Sequence, residues 1–108
     1  KVARKRLKVA AKNLKLGNKE VFYDEVLKAL WGYVSDKLAM PIAELNKENI
    51  AARLQSKEVT DAKIKEFIDL LNDCEFARYA PADDAKEMDN VYSRTMALIT
   101  EMEQMIKK

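Results

Sequence analysis

Apolar residues recur every three or four positions along nearly the whole chain, and this spacing most strongly limits what it can fold into. Such spacing places apolar side chains on one face of an α-helix, whereas a half-buried strand alternates every second residue. With two glycines and two prolines in 108 residues, the chain also lacks the turn residues of a β-rich domain. We therefore predict one all-α domain over residues 1–108, a small bundle of about five helices.

The first two helical segments form a predicted αα-hairpin. The first segment carries a narrow apolar stripe of Ala3, Leu7, Ala10 and Leu14. It ends at Gly17, because glycine readily adopts the left-handed conformation of a helix stop. The second runs from about Glu20 to Leu38 and ends before Pro41. Leu16-Gly17, Tyr23 and Ala29 fall near the spacing of a tetratricopeptide unit, so we expect a TPR-like start to the bundle. Gly32 within it is expected to let a neighbouring helix approach closely.

Capping residues begin the other three segments. Asn46 and Thr60 are favourable N-caps for the third and fourth, and Asp84 with Glu87 is an acidic capping box for the last. The last segment has an apolar face formed by Met88, Val91, Tyr92, Leu98, Ile99, Met102, Met105 and Ile106. A methionine-bearing face can form a binding groove, but we favour the interpretation that it packs in the core.

The composition argues against catalysis. The chain has no histidine, the usual general base and commonest metal ligand, and its single cysteine excludes an internal disulfide. No phosphate-binding loop, calcium loop or zinc-ligand spacing is present. We therefore expect no catalytic residue, metal, cofactor or small-molecule substrate. Cys74 shares a stripe with Phe67 and Leu71, which favours a buried core thiol. The alternative is a redox sensor in which Arg78 lowers the pKa of the thiol.

Positive charge is concentrated at the N-terminus. Residues 1–19 contain eight basic and no acidic residues, whereas the rest of the chain has 12 basic and 18 acidic residues. Such a basic segment is typical of the cytoplasmic flank of a membrane span and is attracted to anionic lipid. A solvated helix face and nucleic-acid binding through residues 1–19 are the alternatives. We disfavour nucleic acid because no aromatic residue lies among the basic ones. The candidate membrane-proximal cluster is Lys1, Arg4, Lys5, Arg6 and Lys8.

Two short sequences contain the residue types that dominate binding hot spots. They are Ala-Leu-Trp-Gly-Tyr at 29–33, followed by Asp-Lys-Leu at 36–38, and Cys-Glu-Phe-Ala-Arg-Tyr-Ala-Pro at 74–81. Within them Trp31, Arg78 and Tyr79 are the candidate contacts with a partner protein. In the structural alternative, Trp31 and Tyr79 cover the edge of the core and Arg78 bridges to Glu75 or Asp83.

The same two sequences, in the order basic segment, hairpin, short helix and final helix, resemble the C-terminal region of the BatD family of the Bacteroides aerotolerance group. The resemblance covers nearly the whole chain, and the eight-residue string at 74–81 is its most specific part. Proteins of this family carry large extracytoplasmic β-rich domains, a membrane span and a cytoplasmic helical tail. Their companions include MoxR-type ATPases and proteins with von Willebrand factor A domains, and the group is linked to oxygen or stress tolerance.

The resemblance implies that this chain is a fragment of a longer membrane-anchored protein, placed on the cytoplasmic side of the bacterial inner membrane. A first residue other than Met agrees with that expectation. The expected function is a non-catalytic protein-interaction domain, with Bat-system components or a MoxR-type ATPase as partners and an anionic membrane surface near the N-terminus. The family supplies no catalytic residues.

Overall fold

The computed structural model describes residues 2–79 and 85–106, and within them the chain forms six α-helices, one 3₁₀ turn and no strands. The all-α prediction is confirmed. A tetratricopeptide-like start stays a prediction. The elements in chain order are α1 (Val2–Arg6), α2 (Lys8–Leu16), α3 (Lys19–Leu38), the 3₁₀ turn (Ile42–Glu44), α4 (Lys47–Ser56), α5 (Asp61–Tyr79) and α6 (Ala85–Met105).

The N-terminal segment is two helices, whereas the apolar stripe predicted one. The chain breaks at Leu7, whose φ of −99° and ψ of 13° lie outside regular helix geometry. Leu7 is fully buried, and α1 packs against α6 while α2 packs mainly against α3. The apolar spacing continues through the break and therefore gives no sign of it. The packing of α1 against α6 involves an element distant in sequence, which local spacing cannot reveal.

α3 is the central helix of the bundle. It contacts α2, α4, α5, α6 and the 3₁₀ turn. Its start follows Gly17, which has the left-handed φ of 71° that the sequence predicts for a helix stop. Two adjacent apolar stripes give α3 a broad buried face, so it can pack on several sides at once. The buried residues are Phe22, Tyr23, Val26, Leu27, Ala29, Leu30, Tyr33 and Val34.

Side-chain caps fix the starts of the next two helices as predicted. The Asn46 side chain accepts hydrogen bonds from the backbone N–H groups of Glu48 and Asn49, at 2.9 and 2.8 Å. The Asn49 side chain accepts one from the Asn46 N–H at 3.0 Å, which completes a reciprocal capping box. Thr60 Oγ1 accepts from the Lys63 N–H at 3.3 Å at the start of α5. The predicted capping box of α6 involves Asp84, which lies outside the described residues.

The methionine-bearing face of α6 packs in the core. Tyr92 and Met105 are partly buried against the core, and Thr95, buried among these apolar side chains, donates its hydroxyl to the Val91 carbonyl at 2.8 Å. This face is therefore occupied by the protein's own helices. Its fully buried members are Met88, Val91, Leu98, Ile99, Met102 and Ile106. In residues 2–79 and 85–106, no helix combines the length and apolar character needed to cross a membrane.

Candidate functional site

Trp31 lies at the centre of a concave surface formed by α3, the 3₁₀ turn, α4 and α5. Trp31 is partly buried, and Ile42, at 53% exposed, gives the groove an accessible apolar wall. A second depression is lined by Trp31, Leu45 and residues 46–48. The two depressions share Trp31, so one tryptophan side chain borders both. The main groove is lined by Asp24, Leu27, Lys28, Trp31, Ile42, Glu75 and Arg78.

Arg78 connects the end of α5 to α3 at the edge of this groove. Its Nη2 atom lies 2.9 Å from Asp24 Oδ1, and its guanidinium lies 5.0 Å from the ring centre of Tyr79. Among the described residues, Arg78 therefore bridges to Asp24 and not to Glu75, one of the two partners that the structural alternative predicts. Glu75 instead pairs with Lys47 at 2.6 Å, and Asp83 lies outside the described residues. Asp24 and Arg78 are far apart in the sequence, so their pairing could not be predicted from it. They meet because α3 and α5 pack against each other.

The end of α5 that lines the groove also carries two exposed aromatic residues. Tyr79 is 71% exposed and Phe76 is 77% exposed. The structural alternative predicted that Tyr79 covers the edge of the core, but the side chain is exposed instead. Phe76 was not among the predicted contacts, although the sequence carried a signal. It falls outside the spacing of Phe67, Leu71 and Cys74, so a helix that buries those three must expose it. Ile42 was missed because only the folded chain brings it beside Trp31. Leu27, four residues before Trp31 on α3, was assigned from the sequence to a buried stripe.

The basic N-terminal cluster is divided between solvent and the body of the domain. Arg4, Lys5 and Lys8 are exposed, but the side chain of Arg6, the last residue of α1, lies against α3. The Arg6 guanidinium pairs with Asp36 and lies 5.8 Å from the ring centre of Tyr33. Within the predicted membrane-proximal cluster, Arg6 is therefore a residue whose charge is paired inside the domain, where it fastens α1 to α3. Lys1 lies outside the described residues.

The Arg6 side chain also occupies the space beside Gly32. A Cβ atom at Gly32 would lie 3.4 Å from Arg6 Nη1, and no other side chain or distant backbone atom is closer. The predicted close approach of a helix at this glycine is thus wrong. The neighbour is the end of a flexible side chain.

Tyr33 forms the polar link between α3 and α6. Its buried ring directs the hydroxyl toward Glu103, and the hydroxyl donates to Glu103 Oε1 at 2.8 Å. Lys37 Nζ donates to Glu103 Oε2 at 3.0 Å. The hydrogen bond from Lys37 holds the pKa of the Glu103 carboxyl below its usual range. Burial raises the pKa of Tyr33, so its hydroxyl stays protonated and remains a donor.

Cys74 does not have the surroundings of a reactive thiol. It is fully buried, and burial raises the pKa of its thiol to about 12 despite the opposing charge of Arg94. Reactive cysteines have lowered pKa values and accessible sulfur atoms. Arg78, which the redox alternative places near the thiol, is paired with Asp24. The geometry therefore favours a core role for Cys74.

Across residues 2–79 and 85–106, no three side chains of the metal-ligating types converge on one point. The surface around Trp31 is thus defined by shape, aromatic character and paired charges. No protein family, curated protein or solved structure matches this chain.

Proposed function

We propose that this chain is a non-catalytic protein-interaction domain that binds a partner protein on the concave surface around Trp31. The observation that carries the proposal is a tryptophan shared by two depressions. The end of α5 that lines one of them also exposes Phe76 and Tyr79. Tryptophan, tyrosine and arginine dominate interface hot spots because they combine a large contact area with directed polar groups.

The charges around the groove support specificity. Asp24 pairs with Arg78, and Lys47 pairs with Glu75, so both ion pairs join different helices at the rim. Paired rim charges hold the walls in place and contribute little affinity of their own, because solvent screens them. An arriving apolar side chain would displace water from Trp31 and Ile42, which supplies the main driving force.

The sequence resemblance supplies the proposed setting. We place the domain on the cytoplasmic side of the inner membrane, as the tail of a BatD-like protein linked to oxygen or stress tolerance. The proposed partners are other Bat-system components or a MoxR-type ATPase. In this setting the groove recruits a cytoplasmic partner to the membrane without any chemical step in the domain itself.

The test measures binding of the purified chain to a purified MoxR-type ATPase and to a von Willebrand factor A protein of the same system, by titration calorimetry. Trp31→Ala is expected to weaken binding about 30-fold, the loss typical of a hot-spot residue. Phe76→Ser is a second variant for the binding measurement, because a side chain so exposed can be replaced without unfolding the domain. Circular dichroism of each variant verifies the fold.

Tyr92→Ala is the matched control, since Tyr92 is also an aromatic residue partly buried against the core but lies on α6, away from the groove. It is expected to bind like the unaltered chain. Equal binding by folded Trp31→Ala, Phe76→Ser and unaltered chains would refute the assignment of this surface.

A further inference from the structure

α2 has a solvent face that combines three lysines with two aliphatic side chains. Val9 is 50% exposed and Leu16 is 69% exposed, and Lys8, Lys12 and Lys15 are exposed on the same side of the helix. None of these lysines forms an ion pair or hydrogen bond with a residue that the structure describes. The opposite side of α2 is anchored through buried Ala10 and Asn13. The face is therefore rigid, basic and partly apolar.

We propose that this α2 face binds the surface of an anionic lipid bilayer, with the helix lying parallel to the membrane. Basic side chains beside exposed aliphatic ones suit the headgroup region, where lysines meet lipid phosphates and the aliphatic groups leave water. The remainder of the chain is net acidic and repels the same surface, so it orients α2 toward the bilayer. This inference concerns a surface that shares no residue with the Trp31 groove, so it stands independently of the proposed partner.

The structure also changes which basic residues carry the interaction. Arg6 is committed to Asp36 and Tyr33, so it contributes little to a surface contact. Lys12 and Lys15, outside the cluster predicted from sequence, lie on the exposed face of α2 beside Lys8. The interaction is thus assigned to the face of a folded helix rather than to an extended basic tail.

Lipid explains this face better than nucleic acid does. Binding to a nucleic-acid backbone depends on phosphate contacts and base stacking on aromatic side chains. The exposed face of α2 has no aromatic residue, and Val9 and Leu16 gain nothing from a hydrated phosphate backbone. Only a partner with an apolar layer beneath its charges uses both parts of the face.

The test is cosedimentation of the 108-residue chain with vesicles of phosphatidylcholine alone and of phosphatidylcholine mixed with phosphatidylglycerol. Binding is expected only to the anionic vesicles. Lys12→Glu combined with Lys15→Glu is expected to weaken it at least about 30-fold, from the contribution of two basic residues near an anionic surface. Val9→Ser with Leu16→Ser should also weaken it, although the charge is unchanged.

The matched control is Lys57→Glu with Lys65→Glu, which makes the same change in net charge at exposed positions outside α2. It should bind like the unaltered chain. No binding to anionic vesicles at low salt would overturn the proposal, as would equal losses in the control. Unchanged binding of the Val9→Ser, Leu16→Ser variant, with equal affinity for duplex DNA, would instead identify a general polyanion site and also overturn it.

Discussion

The two glycines of the chain are predicted to respond in opposite directions to replacement by alanine. Gly32→Ala should stabilise the domain, because Gly32 lies inside α3 with ordinary helix geometry. Gly17→Ala should destabilise it, because Gly17 ends α2 with a φ of 71°. The prediction tests whether a methyl group fits beside Gly32. If a helix packed against this glycine, Gly32→Ala would destabilise the domain instead.

The magnitude for Gly32 follows from two contributions. Alanine is more favourable than glycine inside a helix by about 0.8 to 1 kcal/mol. The new Cβ atom would lie 3.4 Å from Arg6 Nη1, an ordinary contact to the end of a flexible side chain. Complete displacement of Arg6 would cost up to about 2 kcal/mol, because it would lose both an exposed ion pair and a cation–π contact, each worth up to about 1 kcal/mol. A contact at 3.4 Å requires no such displacement, so we expect a net gain of about 0.8 kcal/mol.

The magnitude for Gly17 comes from the backbone alone. Apart from Gly17 and its chain neighbours, no atom of the described residues lies within 4 Å of a Cβ built at Gly17, so the new methyl group has open space. The left-handed conformation itself costs a residue with a side chain about 1 kcal/mol. The two variants should therefore differ in the free energy of unfolding by about 2 kcal/mol.

Urea unfolding followed by circular dichroism measures both changes as shifts of the midpoint at constant slope. The same two variants should differ in Tm, with each kcal/mol worth roughly 4 °C for a domain of this size. Repeating Gly32→Ala in an Arg6→Ala background separates the contributions, since residues in contact are not additive. Destabilisation by Gly32→Ala in both backgrounds would refute the reasoning, because the obstacle would then be something other than Arg6.

Two further predictions concern buried polar groups. Tyr33→Phe should lower the free energy of unfolding by about 1 kcal/mol, because it removes the hydrogen bond to Glu103 while keeping the ring; an unchanged urea midpoint would contradict this. Cys74 should resist alkylation by iodoacetamide in the native chain up to about pH 9, since burial raises its pKa to about 12, and should react readily in denaturant. Rapid native labelling at about pH 8.5 would restore the redox interpretation.

Local signals predicted the elements whose causes are local. The sequence placed the end of the second segment at Leu38 and the caps at Asn46 and Thr60, and the structure agrees. These signals act within one helical turn, through backbone conformation or a side chain that bonds to nearby N–H groups. The break at Leu7 was missed because the apolar spacing runs through it, and the packing of α1 against α6 joins parts of the chain that are far apart in sequence.

In the candidate site, too, some features have local signals in the sequence and others depend on packing between distant helices. Trp31, Arg78 and Tyr79 were identified from residue type, and the structure places Trp31 and Arg78 on one groove with Tyr79 beside Arg78. The pairing of Arg78 with Asp24 could not be predicted, because charged side chains have several partners of equal chemistry in sequence. The packing of distant helices selects one of these partners. The apolar periodicity within a helix contains no information about that choice.

The packing of α1 against α6 has a consequence for how the chain can be rearranged. Arg6 and Glu103 both lie beside Tyr33, so the two ends of the described fold emerge near one another. A short linker between them would cost little closure entropy. The polypeptide could then be made circular and reopened at the exposed Gly17–Asn18 turn with its interior undisturbed, or spliced into a surface loop of a host protein.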